Sequence, residues 1–316
     1  MEEESAGRSD TGHPAADRKD TTMILSTQTD HLFHHLGADR AIPIFAEAGY
    51  DAIDYSMFGM TGDDCPLNTV DPEKFGTELR KKAEAAGIFF NQAHAPFPGW
   101  RAGDEGYNAK MPGRIAQSIR IAGVLGAKAI VVHPIAYTVG GEEQKRVNFD
   151  YYRALAPVAK EYGIKIALEN MWGYDGRRGY ILPNVCSFGR DLAEYYDELA
   201  DPDVYTVCLD LGHCGLVGDE PDDAIRVLGR DRLGALHVHD NNYRADNHTV
   251  PYDYGMKMNW NAITKALGEI DYQGDFTFEA DAFLERFDED TLPTAVGFMA
   301  QIGRRLIEKI ERERKK

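Results

Sequence analysis

Ionisable residues in this chain recur at one kind of place, the ends of short apolar runs. IFFNQAH ends in Gln92 and His94, AIVVHP carries His133, IKIALEN carries Glu169, YTVCLD ends in Asp210, ALHVHD holds His237 and His239, and FTFEA holds Glu279. Side chains on a strand alternate between faces, so residues two apart share one. His133, Glu169, Asp210 and Glu279 thus follow Val131, Ala167, Cys208 and Thr277 on one face: small, uncharged side chains below and ionisable ones at the end. His237, two before His239, is the exception. Six of the ten histidines (His94, His133, His213, His237, His239 and His248) fall at or just past such an end. Burying carboxylates and imidazoles together is costly without a compensating charge. A bound divalent cation offsets that cost, and a histidine–carboxylate donor set suits zinc, manganese or cobalt better than calcium or magnesium.

The runs that carry these residues number eight: MILST, DAIDYSM, IFFNQAH, AIVVHP, IKIALEN, YTVCLD, ALHVHD and FTFEA. Each is short and rich in β-branched or aromatic residues, which predicts strands. Amphipathic stretches separate them, among them KFGTELRKKAEAAG, GRIAQSIRIAGVLGA and FDYYRALAPVAKEYG, which end in Gly or Gly-Ala as a helix C-cap does. Strict β–α alternation implies a parallel sheet, and eight units imply an α/β fold closed as a single (β/α)8 TIM barrel over residues 23–316. In that architecture the strand C-termini form the active mouth. An open doubly wound sheet would show a Gly-rich turn after its first strand, and ILSTQTD has none.

The 316 residues carry a net charge of −17, and residues 1–22, read as a disordered tail, hold six acids and three bases of it. So acidic a surface makes nucleic acid and anionic membrane poor partners. Cys65, Cys186, Cys208 and Cys214 form no framework spacing, and no apolar run is long enough to span a bilayer, so a cytoplasmic enzyme is expected. Assembly into a homo-oligomer is left open.

The blocks ALEN, CLDLGH, LHVHDN and the later DNH, NW and FTFEA stand in order at predicted strand ends. In this they resemble the sugar isomerase/epimerase group of the xylose isomerase-like TIM barrel superfamily, over roughly Met23 to Arg305. The resemblance implies one divalent ion (Mn, Zn or Co) held by Glu169, Asp210, His239 and Glu279. It also matches His213 to a substrate-binding histidine. His94, His133, Trp172, Arg244 and His248 are expected to line the substrate site. Trp172 and Tyr174 either stack on a sugar or pack, Trp260 reads as core, His237 reads as packing one layer below His239, and the role of Asp54 is open.

The implied reaction starts at the carbon next to a carbonyl of a keto-sugar or related polyol or cyclitol. Glu169 and Glu279, reaching the substrate from opposite sides, would remove and return a proton while the cation stabilises the enediolate. Return to the other face epimerises, return to the neighbouring carbon isomerises, and loss of a β-hydroxyl makes the enzyme a lyase or dehydratase, including one acting on C-glycosides. The acidic loop ADAFLERFDED after the last strand argues for an unphosphorylated substrate. A DNA-repair nuclease of the endonuclease IV type is the rival, because His94, His133, Glu169, Asp210, His213, His239, Asp246, His248 and Glu279 are counterparts of its zinc ligands.

Overall fold

The computed structural model describes residues 23–135 and 141–316, so the tail expected over 1–22 lies outside the described residues. All eight expected strands form: β1 (Leu25–Thr27), β2 (Ala52–Ser56), β3 (Phe89–His94), β4 (Ala129–Val131), β5 (Lys165–Glu169), then, after a hairpin of β6 (Trp172–Asp175) and β7 (Tyr180–Pro183), β8 (Tyr205–Asp210), β9 (Leu233–His237) and β10 (Phe276–Phe278). β2-β3-β4-β5-β8-β9 pair in parallel as one sheet and β1 pairs with β10 in parallel. Two single parallel bridges, Gln28 to Asp54 and Val238 to Phe278, join the two sheets into the closed barrel.

Helices alternate with the strands: α1 (Asp30–Leu36), α2 (Ala38–Ala48), α3 (Pro72–Ala85), α4 (Glu105–Leu125), α5 (Gly141–Tyr162), α6 (Gly189–Leu199), α7 (Leu211–Val217), α8 (Pro221–Arg232), α9 (Trp260–Glu269), α10 (Asp281–Leu284) and α11 (Leu292–Arg314). Their starts follow side-chain chemistry: Asp71, Asp104, Asp210 and Asn259 each cap a first turn by accepting a backbone N–H.

The strand alternation sorts the core into two sets. Ala129, Val131, Ala167, Cys208 and Ala235 form a small cluster of their own inside the barrel. Ile130, Ile166, Leu168, Val207, Leu209 and Leu236 belong to the large cluster between strands and helices. The inward set is small and uncharged, so the room for polar side chains lies above it, at the strand ends. Trp260 is 2% exposed and its indole donates to Asp240, 2.6 Å away, in keeping with a core position. No helix among the described residues is long and apolar enough to cross a membrane.

The hairpin β6–β7 was not anticipated: its strands are four residues long and its turn, DGRRG, interrupts the pattern. An Asp-Gly between WGY and YIL is nevertheless a turn signal.

Helix α11 closes over the β1–β10 seam through Gly303, where an added Cβ would lie 2.6 Å from both Leu25 Cδ1 and Phe278 Cε2. A Gly303→Leu protein should lose at least ~1–3 kcal/mol to overpacking. Gly297→Ala, where nothing lies within 4 Å of the new Cβ, should be neutral or slightly stabilising. Denaturant titration followed by circular dichroism measures both.

Candidate active site

Four side chains meet at the barrel mouth. Glu169 ends β5, Asp210 ends β8, His237 ends β9, and Glu279 directly follows β10. Each offers an atom within 4.8 Å of the others', and all four residues are buried. His237 Nδ1 lies 2.8 Å from Glu169 Oε1, 3.1 Å from Glu279 Oε2 and 3.9 Å from Asp210 Oδ2. His133 Nε2 lies 2.9 Å from Glu169 Oε2.

The backbone around Asp210 is held on both sides. Asn170 Nδ2 donates to Asp210 O at 2.9 Å, and Asp210 N donates to Asn170 Oδ1 at 2.7 Å. Asp210 Oδ1 in turn accepts the amide of His213, three residues on, capping α7. Gly212 has no side chain because His239 fills the space: an added Cβ would stand 2.0 Å from its Cε1.

His239 was the expected fourth ligand; among the described residues His237 is the histidine that stands within 4.8 Å of Glu169, Asp210 and Glu279, and His239 meets Asp210 alone of the three. The β8–β9 ladder pairs Asp210 with His237, so His237 is the residue level with the strand-end carboxylates. His239 lies beyond the strand. Its Nε2 reaches Asp210 at 2.9 Å from the far side and points to a second group made of His213, His239, Asp246 and His248.

In that second group, Asp246 Oδ2 has three partners: Trp172 Nε1 at 3.0 Å, His213 Nε2 at 3.2 Å and His248 Nε2 at 3.0 Å. His213 Nδ1 donates to Asn170 O at 2.8 Å and His248 Nδ1 donates to Glu279 O at 3.0 Å. With Nδ1–H fixed by a carbonyl, each Nε2 can face a carboxylate only if it carries a second proton or shares a cation with it.

Without a cation the protons do this work. Burial disfavours the charged form of His213, but Asp210 and Asp246 outweigh it and hold its pKa well above the ordinary value. Burial likewise opposes the charge on His248, yet the bond to Asp246 and the nearby Glu279 push it up to about 10. Asp246 is held well below the usual carboxylate range by His213 and His248 against its own burial. Burial would raise Glu169, but His237 and His133 draw it down, and His237, His248 and His94 do the same to Glu279.

Several buried polar atoms here lack a directed hydrogen bond: Glu169 Oε2, Glu279 Oε2, His94 Nε2, His133 Nδ1, His239 Nδ1 and Asp246 Oδ1. Buried polar atoms are ordinarily satisfied. Lone pairs from two glutamates converging beside a histidine and an aspartate fit a divalent cation of the zinc, manganese or cobalt type.

The other expected substrate residues divide. His94 and His133 stand beside the cluster, and Phe97, 40% exposed, lies over His133 with ring centroids 4.3 Å apart. Trp172 is tied to Asp246, whereas Tyr174 is 60% exposed on the hairpin. Arg244 is exposed, and its guanidinium makes no ion pair among the described residues. Gln28 escaped the sequence reading: it follows β1 and its amide donates to Glu279 Oε1 at 2.9 Å. A cavity of about 370 Å³ beside the mouth, lined by Phe33, Tyr55, Phe75 and Lys82 among others, shares no residue with either group.

The family model described as xylose isomerase-like TIM barrel matches residues 42–302. The chain belongs to this family. Two relatives of this xylose isomerase-like barrel are uncharacterised proteins. One is y4fM of Sinorhizobium fredii, 30% identical over 51% of this chain and 50% of that protein, so the chain spans about half of its length. The other is MJ1311 of Methanocaldococcus jannaschii, 27% identical over 65% of this chain and 68% of that one. Among solved structures, the barrel resembles a D-tagatose 3-epimerase-like protein (TM-score 0.69, 20% identity, 92% of this chain and 99% of that one). It also resembles the D-psicose 3-epimerase of Clostridium cellulolyticum H10 (0.69, 17%, 90% and 99%) and the 3-keto-D-glucoside 4-epimerase YcjR of E. coli (0.65, 18%, 88% and 99%).

The raised pKa of His248 makes a pH prediction for the metal-depleted protein. A folded-state value of about 10 against an ordinary 6.5 means its contribution is complete below pH 6.5 and is lost as pH rises through about 10. Unfolding midpoints of chelator-treated protein should therefore fall across that window, and Asp246→Asn should flatten the fall.

Proposed function

We propose that this protein is a metal-dependent isomerase or epimerase of an unphosphorylated keto-sugar or related polyol. The observation that carries the reading is the pair of buried glutamates, Glu169 and Glu279, on different strands around one cluster, each with one carboxylate oxygen lacking a directed hydrogen bond. The solved epimerases of similar fold support it.

Glu169, Asp210, His239 and Glu279 would hold the metal, while His237, whose Nε2 accepts from Gln92, keeps its Nδ1 proton for Glu169 and Glu279. A divalent cation bound there would polarise a substrate carbonyl and stabilise negative charge developing on its oxygen. The chain's own residues do the rest. Glu279 is oriented by Gln28, which donates to Oε1 and leaves Oε2 to exchange a proton with the carbon next to the carbonyl. Glu169 is oriented by His237 at Oε1 and has His133 beside Oε2, which places a proton donor for the opposite face. Both carboxyls are held low, so Glu279 is ready to take the proton, and Glu169 must first take one up before it delivers it to the opposite face. Phe97 lies over the ring of His133 at the border of the site.

The second histidine group favours another reading, the endonuclease IV-type nuclease, because it supplies donors for further metal. The net charge of −17 and the loop after β10, with Asp281, Glu285, Asp288, Glu289 and Asp290 against Arg286, oppose a DNA backbone at this rim. Metal-dependent nicking of abasic duplex DNA that vanishes in Glu169→Ala would establish the nuclease; none is expected.

Glu169→Gln and Glu279→Gln should each lower turnover on a keto-sugar by on the order of a hundred- to ten-thousand-fold while keeping more metal than the alanine variants. Solvent deuterium uptake at the substrate carbon separates them, since one remaining glutamate can still exchange the proton on its own face. Near-normal turnover in both variants, with His213→Gln inactive, would move the chemistry to the histidine. For the ligand set, Asp210→Ala and His239→Ala should each lose tightly bound metal, as read by metal analysis, and a full equivalent retained in both would overturn the assignment.

A further inference from the structure

Below the cluster lies a carboxylate that the proposed reaction does not use. Asp54, on β2, is completely buried. Its one ion-pair partner among the described residues is His94. A shift of the β2–β3 register between Ile53 and Asp54 sets Asp54 opposite Gln92 and Ser56 opposite His94. Such an irregularity turns a side chain to a new direction. Here it brings Asp54 toward two residues on the same face of the neighbouring strand.

Each oxygen of Asp54 has its own partner. Oδ1 lies 3.0 Å from His94 Nδ1, and Oδ2 accepts the amide N–H of Gln92 at 2.8 Å. Each of those side chains then meets a different member of the cluster. His94 Nε2 lies 3.5 Å from Glu279 Oε1, and its ring stacks on His237 with centroids 4.4 Å apart and planes 22° apart. Gln92 Nε2 lies 3.0 Å from His237 Nε2. One buried anion thus stands behind two of the four converging residues by two separate paths.

A buried carboxylate with no lysine or arginine partner would destabilise the fold if it served packing alone. Outer partners of this kind fix the ring orientation of a histidine and the rotamer of a carboxylate. We propose that Asp54 is the positioning residue of the metal centre: it sets His94 beside Glu279 and, through Gln92, fixes His237 with its Nδ1–H toward Glu169 and Glu279, so that the two glutamates keep the arrangement a divalent cation takes up. This rests on the metal-site reading above. It predicts that affinity for the ion depends on a residue that does not touch it.

The test compares Co²⁺ binding to the full-length wild type, Asp54→Asn, Gln92→Met and His94→Leu, by competition with a chromophoric chelator and by the visible absorption of bound Co²⁺. Unfolding of the metal-depleted forms is followed in parallel. Asp54→Asn should weaken Co²⁺ binding by about ten- to a hundredfold and alter the Co²⁺ spectrum, while the metal-depleted protein unfolds near the wild-type midpoint. Added to Gln92→Met and His94→Leu together, Asp54→Asn should have little further effect, because both of its paths are already cut. If wild type binds no Co²⁺, the reading of the centre fails and this inference with it. If wild type binds and Asp54→Asn binds with the same affinity and spectrum, the inference alone is overturned. It is overturned equally if Asp54→Asn lowers only the stability of the metal-depleted form. Should Asp54→Asn not fold, Gln92→Met decides: weakened Co²⁺ binding in a folded protein supports the path to His237, and unchanged binding overturns it.

Discussion

Everything at the mouth of this barrel follows from concentrating buried charge at one end of a narrow, uncharged interior. Ala129, Val131, Ala167, Cys208 and Ala235 put small, uncharged side chains below Glu169, Asp210 and Glu279. Glu169, Asp210 and Glu279 must therefore find their partners sideways, among the imidazoles at the ends of the neighbouring strands, or in a cation among them. The histidines are as numerous as they are because each carboxylate has to be met from more than one direction. Their paired Nδ1 contacts to Asn170 O and Glu279 O fix the rings independently of what occupies the centre.

Strand existence and order were legible in the sequence because each strand is a short apolar run ending in a distinctive polar residue, and β–α alternation leaves few topologies. The convergence of Glu169, Asp210 and Glu279 could be read for the same reason. The heights of His237 and His239 relative to Asp210 could not. In HVH both histidines share a face, and only the partner strand says which of them is level with Asp210. Periodicity gives the face of a residue and not its height.

Gln28 and Asp54 stayed silent for a related reason. An amide and a carboxylate near the ends of β1 and β2 look like ordinary strand termini until the closing bridge from Gln28 to Asp54 sets them beside each other. Asp246 lies in a loop, and its meeting with Trp172 depends on the course of two long connections that no local pattern specifies. The irregular register between β2 and β3 has no sequence signature at all.

The clamp of Asn170 on Asp210 has a further consequence. By bonding both the N–H and the C=O of that residue, the Asn170 side chain stands in for one rung of a sheet just where β5 has run out of backbone. The peptide carrying a central acid is therefore locked by covalent neighbours and an amide, not by whatever binds to the acid. A backbone held this way keeps its place without help from anything the acid might bind.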